Sequence, residues 1–280
     1  MTGPRILFLL LLLCVSAVGL TQTASGFPAS SFTPENEQGY THWYDNWGID
    51  RTYYAGPNGF LPNLATETLG ENRELAYSIG QWFQSNYPSN TSRAVAILKY
   101  VQTWTEYCYD SENEDITRAR GSPQEEWAIN ADEMAHAFDE STGVKALGDC
   151  EDMAFLCGTI YVGAGFDAAI VDAPDHAALL IWLPEFSNAN AYWDLPNDDK
   201  EGAGWIWVEA TGNSNPLGWT PPDFEDGGWT AYSIGSSAFV AEPEPTEPGW
   251  SGSVDLDLIA TIVVIAFSLL LAYVKMKGRR

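Results

Sequence analysis

Basic residues are what this sequence has least of for its size. Lysine and arginine together number 13 against 38 aspartates and glutamates, giving a formal net charge of -25. Four of those cations, Lys275, Lys277, Arg279 and Arg280, stand at the extreme C-terminus, so the middle of the chain is more acidic than the total implies. Such a surface repels phosphate backbones, which argues against nucleic acid as a partner. It also suits concentrated salt, where carboxylates stay hydrated and screened charges repel weakly; full stability in dilute buffer with loss of fold on adding salt would refute that expectation. A glycine-rich phosphate loop and a paired-cysteine zinc motif are both missing. The acidic runs 112–115 and 223–226 lack the regular ligand spacing of a calcium loop and read as solvated faces. No cofactor or metal is implied.

Histidine is scarce too, with three in the chain, and cysteine numbers four. What is plentiful is apolar and aromatic material, 45% and 13% of 280 residues, enough for one good core and a small extra lobe.

Both ends read as membrane-directed. After Arg5, Ile6 to Leu20 is an almost unbroken apolar run followed by small and polar residues through Gly26, the order of a secretory signal peptide over residues 1–26. Cys14 lies inside that run. At the other end Leu258 to Val274 carries no charge and is followed at once by the basic residues 275–280. An apolar stretch of about 17–20 residues can cross a bilayer, and the basic tail belongs on the cytoplasmic side. The expectation is a transmembrane helix over 256–274, with the lipid bilayer as one partner and the region before it outside the cytoplasm. Alternating Pro and Glu over 241–255 predict a stiff, solvated stalk.

Between the ends, residues 27–70 are rich in Gly, Pro, Asn and aromatics without clear period and predict an irregular wrapping segment. Leu75, Ile79, Trp82 and Phe83 have helical spacing, ended by Pro88. Asn90 or Thr91 can cap a second helix whose face is Ala94, Ile97, Leu98 and Val101. Asn90-Thr91-Ser92 also matches a glycan acceptor. Helical turns are expected over 122–138, with Trp127, Met134 and Phe138 inward.

The most informative segment is Gly148-Asp149-Cys150-Glu151-Asp152, followed by the apolar run Met153 to Val162. Asp149 is a natural N-cap with Asp152 three residues on, which marks a helix starting at Cys150. A thiol in the first helical turn sits near unpaired N–H groups and the positive end of the dipole, both of which favour thiolate, and the same N–H groups can hold an oxyanion. A strand over Asp167 to Val171 and a turn at Asp172 to Asp175 lead to His176, which opens a buried strand through Leu183. His42 and His136 lie in less ordered contexts. Trp205 to Val208 reads as another strand, and Glu209 at its end can orient the imidazole as the third member of a triad.

The order GDCEDMAFLCGTIYVGAGFDAAIV, DHAALLIW, WIWVEAT, covering roughly Arg93 to Thr211 with the helix AVAILKYVQTWTEY upstream, resembles the core of the transglutaminase-like superfamily within the papain-like cysteine enzymes. The resemblance implies an α+β fold over 71–240, helices packed on an antiparallel sheet. It implies Cys150 as nucleophile, His176 as base and Glu209 as orienting acid, acting on a protein or peptide substrate by hydrolysis or by transfer to an amine. The family more often uses Asp in the third role, and Asp194 competes for it here. Gln102, Trp104 and Trp127 are the side chains considered for completing the oxyanion site.

The cysteines also have a structural reading. If the helix is real, Cys150 and Cys157 lie about 10 Å apart along its axis, at about 1.5 Å per residue, too far for a disulfide. Cys108 is left to pair with Cys157, which frees Cys150, or with Cys150, which abolishes the nucleophile and leaves a catalytically silent surface module. The first pairing is favoured because Cys157 has apolar neighbours.

Overall fold

The computed structural model describes residues 29, 31–37, 39–53, 59–67, 74–196 and 198–234 and the backbone of 240–241 and 244–246. The expected signal peptide, transmembrane helix and basic tail lie outside the described residues. Among the described residues no helix is long and apolar enough to cross a membrane.

A helix hydrophobic on every side belongs in the middle of a fold, and that is where α6 (Cys150–Gly163) lies: from Glu151 to Tyr161 every residue is buried. Around it pack α2 (Glu74–Asn86), α3 (Asn90–Trp104) and α5 (Ala131–Ala137), with α1 (Phe60–Glu67) and the short α4 (Glu114–Arg120) further out. Small residues set the close approaches. A methyl group at Gly80 of α2 would stand 2.1 Å from Ile160 O, and one at Gly163 of α6 would stand 2.2 Å from Tyr77 O, so both helices need glycine where their backbones meet. On the opposite side of α6, a Cβ at Gly158 would meet Ile234 Cδ1 at 2.2 Å, which lets the helix lie down on the sheet.

That sheet has seven strands, every described pairing antiparallel. Its central members are β5 (Ala168–Ala173), β6 (His176–Trp182), β7 (Tyr192–Asp194), β8 (Trp205–Val208) and β9 (Thr230–Ser233), in the order β9-β5-β6-β8-β7, with β10 (Val240–Ala241) and β11 (Glu244–Thr246) at the two edges. Thus three residues of the Pro/Glu-rich stretch run beside β7. Alternation puts Ile170, Leu179, Ile181, Ile206 and Val208 in the core shared with the helices. Val171, Leu180, Trp193, Trp205, Trp207 and Trp229 form a second apolar layer on the other face. The α+β expectation, helices on an antiparallel sheet, is what the mixed architecture shows.

Two local expectations need correction, and one strand pairing was not expected. The N-terminal segment is not wholly irregular: β1 (Phe32–Glu37) and β2 (Tyr40–Asp45) form a hairpin, and α1 begins at Phe60. The hairpin is hard to see in sequence because most of its residues are exposed and no apolar face alternates. Residues 122–130 are extended rather than helical; helix begins at Ala131 because Asn130 caps it, its side chain accepting from Glu133 N (3.0 Å) while Asn130 N donates to Glu133 Oε2 (2.8 Å). A short parallel pair, β3 (Thr105–Tyr107) with β4 (Ala146–Gly148), was not foreseen; it brings the end of α3 beside the start of the cysteine helix.

Candidate active site

The helix start follows the capping logic of the sequence. Asp149 N donates to Asp152 Oδ2 (3.2 Å), and Asp152 Oδ1 also accepts from Ile129 N (2.6 Å), so one buried aspartate fixes both the helix end and the strand-like segment crossing it. Cys150 is left half-buried in the first turn, its thiol donating to Glu151 Oε2 (3.3 Å). The first N–H groups of the helix point away from any intrahelical acceptor.

Opposite, the chain turns through Pro174-Asp175, with Asp175 in the left-handed region (φ 54°), so that His176 opens β6 at the rim of the sheet. His176 Nε2 lies 2.9 Å from Glu209 Oε2, and the ring lines the same cleft as the Cys150 thiol. Glu209 is nearly buried (3% exposed) and fully employed: Oε2 also accepts from Trp207 Nε1 (3.3 Å), and Oε1 accepts from Thr211 N (3.2 Å) and Thr211 Oγ1 (2.5 Å). A carboxylate with that many donors is locked in one rotamer and can hold a ring in one orientation. The ring is fixed from its face as well. Phe224 stacks on His176 (centroids 5.6 Å, 5° between planes), and Trp207 stacks on Phe224 in turn (5.5 Å, 13°).

Burial of itself would lower the imidazole pKa. The bonds to Cys150 and Glu209 and their negative charge outweigh it and push the pKa up to about 10. Burial likewise would raise the pKa of Glu209, but His176, Thr211 and Trp207 hold it below the ordinary carboxylate range. The ring therefore carries a proton at neutral pH between an acid on one side and a sulfur on the other.

Cys150 and His176 line one cleft of about 370 Å³, with Tyr107, Tyr109, Asp110, Glu126, Asp149 and Glu151. Tyr107 is half-turned into it. Burial, with Cys150 and Asp149 nearby, raises its pKa, so its hydroxyl remains a donor. Burial raises the carboxyls around it as well: Asp110 to about 8, with Asp149 reinforcing, and Glu151 and Asp152 well above the usual range, with neighbouring carboxyls reinforcing. A larger, aromatic groove of about 800 Å³ opens between α2 and α3, but no cysteine or histidine lines it.

Of the residues singled out in the sequence, the structure brings Cys150, His176 and Glu209 together. Glu209, not Asp194, is the carboxylate on His176. The three oxyanion candidates do not line the cleft. Gln102 turns its amide to Glu209 O (3.2 Å) and Asn215 O (2.9 Å), Trp104 stacks on Phe138, and Trp127 is buried against Phe32 and Trp43. His42 pairs instead with Asp50 (2.6 Å) on the hairpin side. The Cys108–Cys157 disulfide is not formed: all three described cysteines are free, Cys157 facing the core from the middle of α6 while Cys108, whose N–H donates to Gly148 O (3.0 Å), lies at the rim beyond its reach. Phe224, Trp207 and Thr211 were missed, and only the two-residue spacing of Trp207, Glu209 and Thr211 hinted at them.

Neither a family model nor a curated protein sequence matches this chain. Among solved structures, a candidate protease from Parabacteroides distasonis is similar at a TM-score of 0.35 and 11% identity, over 79% of this chain and 41% of that one. The chain thus spans under half of that neighbour, and a likeness so distant carries no functional weight.

Proposed function

We propose that this chain is a cysteine-dependent amide-bond enzyme of transglutaminase-like character, working outside the cytoplasm on a protein or peptide and held to the membrane by its C-terminal apolar segment. The observation that carries the reading is the arrangement of Cys150, His176 and Glu209. A helix-start thiol shares one cleft with an imidazole whose Nε2 rests 2.9 Å from a buried, fully employed carboxylate.

In the proposed reaction the Cys150 sulfur, having passed its proton to His176, attacks an amide carbonyl. The carbonyl electrons move onto oxygen, for which the N–H groups of the α6 start and the hydroxyl of Tyr107, a residue lining the same cleft, are the proposed donors. Collapse of that intermediate breaks the C–N bond, and His176 gives its proton to the departing amine. Water then attacks the thioester with His176 taking a proton, and the acid is released as the thiol is restored. An amine in place of water gives a crosslink by the same steps. Water is the preferred acceptor in this reading, which makes peptidase or amidase activity the proposed form.

The test is to incubate the detergent-solubilised full chain with a peptide mixture, with and without a primary amine, and identify products by mass spectrometry. Cys150→Ala and His176→Ala are expected to lower turnover by about 10³-fold or more, and His176→Ala to slow alkylation of Cys150 at neutral pH. Unchanged turnover in Cys150→Ala would end the proposal.

A further inference from the structure

The aromatic groove between α2 and α3 takes no part in the amide-bond chemistry, and it stands on an unusual stretch of sequence. Residues 75–105, which hold all of α3 and all but the first residue of α2, contain no aspartate or glutamate, in a chain that has 38. Trp82 is 56% exposed there, and Tyr87, Tyr100 and Trp104 line the groove with it beside the exposed Lys99. Edge contacts of Trp82 with Phe83 (5.0 Å, 87°) and of Phe83 with Tyr100 (5.3 Å, 73°) join the rings of the two helices. Glu140, from beyond the stretch, brings a carboxylate to the groove and spends one oxygen on the Tyr100 hydroxyl (2.6 Å).

The chain leaves the fold beside this face. The described residues end at Thr246 of β11, which pairs with Tyr192 at the start of β7. The Tyr192 hydroxyl donates to Phe186 O, and the neighbouring Glu185 accepts from Asn90 Nδ2 (3.2 Å) in the first turn of α3. Arg93, one turn on, donates through Nη1 to the carbonyl of Tyr87, a residue of the groove (3.0 Å). These contacts set the exit of the chain at the α2–α3 turn, the end of the groove that Tyr87 lines. Residues 247–257 then lead to the apolar run that starts at Leu258. Fully extended they reach at most about 40 Å, roughly the breadth of a domain of this size.

We infer that the α2–α3 face rests on the surface of the bilayer that holds the chain, with Trp82 at the level of the headgroups and Lys99 turned to anionic ones. The inference rests on the membrane-held part of the proposed function and is independent of the chemistry at Cys150. Indole and phenol rings settle at that level because their bodies are apolar and their N–H or O–H stays wet. A lysine there buries its methylene stem while its ammonium meets phosphate. An anionic surface repels carboxylates, so a chain this acidic approaches it best through a face that has none. A second copy suits the groove poorly. A two-fold contact sets concave against concave and leaves space unfilled, which close packing disfavours, whereas fluid lipid fills it.

The experiment inserts the full chain into liposomes of phosphatidylcholine and phosphatidylglycerol in equal parts, with acyl chains either plain or brominated near the headgroup, since bromine quenches tryptophan on contact. The native chain is expected to lose fluorescence to the brominated lipid. Trp82→Phe should remove about half of that quenching, the rest coming from Trp250, which stands shortly before the apolar run. Ser78→Glu combined with Lys99→Glu, both at exposed positions that the fold does not need, should lower the docked fraction about tenfold or more, and less in pure phosphatidylcholine. Flotation through alkaline carbonate is measured on the same samples. Chain retained in the liposomes with equal quenching in native and Trp82→Phe forms overturns the docking alone; shielding of Trp82 from aqueous acrylamide in that case assigns the face to a second copy or another macromolecule. Chain lost from the liposomes overturns the membrane-held reading and the docking with it.

Discussion

Two groups of buried carboxylates lie on either side of the segment 127–133, and they are built on opposite principles. On one side Arg51, fully covered, donates through Nε to Asp45 (2.8 Å) and through Nη1 to Glu133 (2.9 Å) and Ala128 O (2.7 Å). Every charge there has a partner, and the group ties the N-terminal hairpin to α5. Burial alone would raise the pKa of Glu133, yet Arg51 and the Asn130 N–H hold it below the usual range. On the other side the carboxyls around Asp149 and Glu151 have no such guanidinium, and burial and mutual repulsion drive them the other way. A fold can tolerate balanced charge anywhere. Buried carboxyls that lack a cation keep their protons instead, and here they border the candidate nucleophile.

The largest expected effect breaks the balanced side. Arg51→Met removes the cation and strands Asp45 and Glu133 in a site without water, which should cost about 3–5 kcal/mol. Urea unfolding at pH 7 measures it. A loss below about 1 kcal/mol would mean that the carboxylates find other partners and that the contrast is not one of charge balance.

Glu209 sharpens the comparison from within the site, because its negative charge does have a cation, the His176 ring. Glu209→Gln removes a cause of the raised imidazole pKa, so that pKa must fall from about 10. If protonated His176 is the acid that serves the leaving amine, the alkaline limb of kcat/KM sits near the imidazole pKa. It should move to lower pH in the variant, with a drop in rate of roughly 10–100-fold at neutral pH. The same shift sets the sign of the stability effect. A histidine whose pKa is raised by folding stabilises fully below its unfolded value near 6.5, and that contribution is lost as pH rises toward about 10. The stability gap between the native chain and Glu209→Gln should therefore be widest near pH 6 and shrink toward pH 10. A rate loss with no movement of the alkaline limb would reduce Glu209 to a packing role.

How much of this could be read from the sequence depends on whether the interaction is local. The start of α6 at Cys150 was legible because capping acts over three residues, Asp149 to Asp152. His176 and Glu209 were legible because each terminates a strand of buried residues with a polar one, a pattern that survives ignorance of the fold. Phe224 on the His176 ring was not, for a lone aromatic in a Pro- and Asp-rich turn carries no period. Nor was the carboxylate group: Asp110 and Asp149 are 39 positions apart in the chain and meet through the parallel pairing of β3 and β4, which three-residue strands do not announce. The reading of acidic runs as solvated faces missed it for the same reason, since its members belong to no regularly spaced loop.

The smallest effect is the most direct comparison of the two groups, because it makes the same chemical change in each. Asp45→Asn replaces a charged acceptor of Arg51 by a neutral one and should cost about 1.5–3 kcal/mol, the usual worth of a hydrogen bond to a charged group. Asp110→Asn keeps an oxygen for Trp127 N–H while removing a carboxylate from a crowd of carboxylates. At pH 7 it should be neutral or stabilising, within about 1 kcal/mol, because relieved repulsion offsets whatever the new amide leaves unpaired. Equal losses for both variants would show that the two carboxylate groups are held by the same kind of interaction after all.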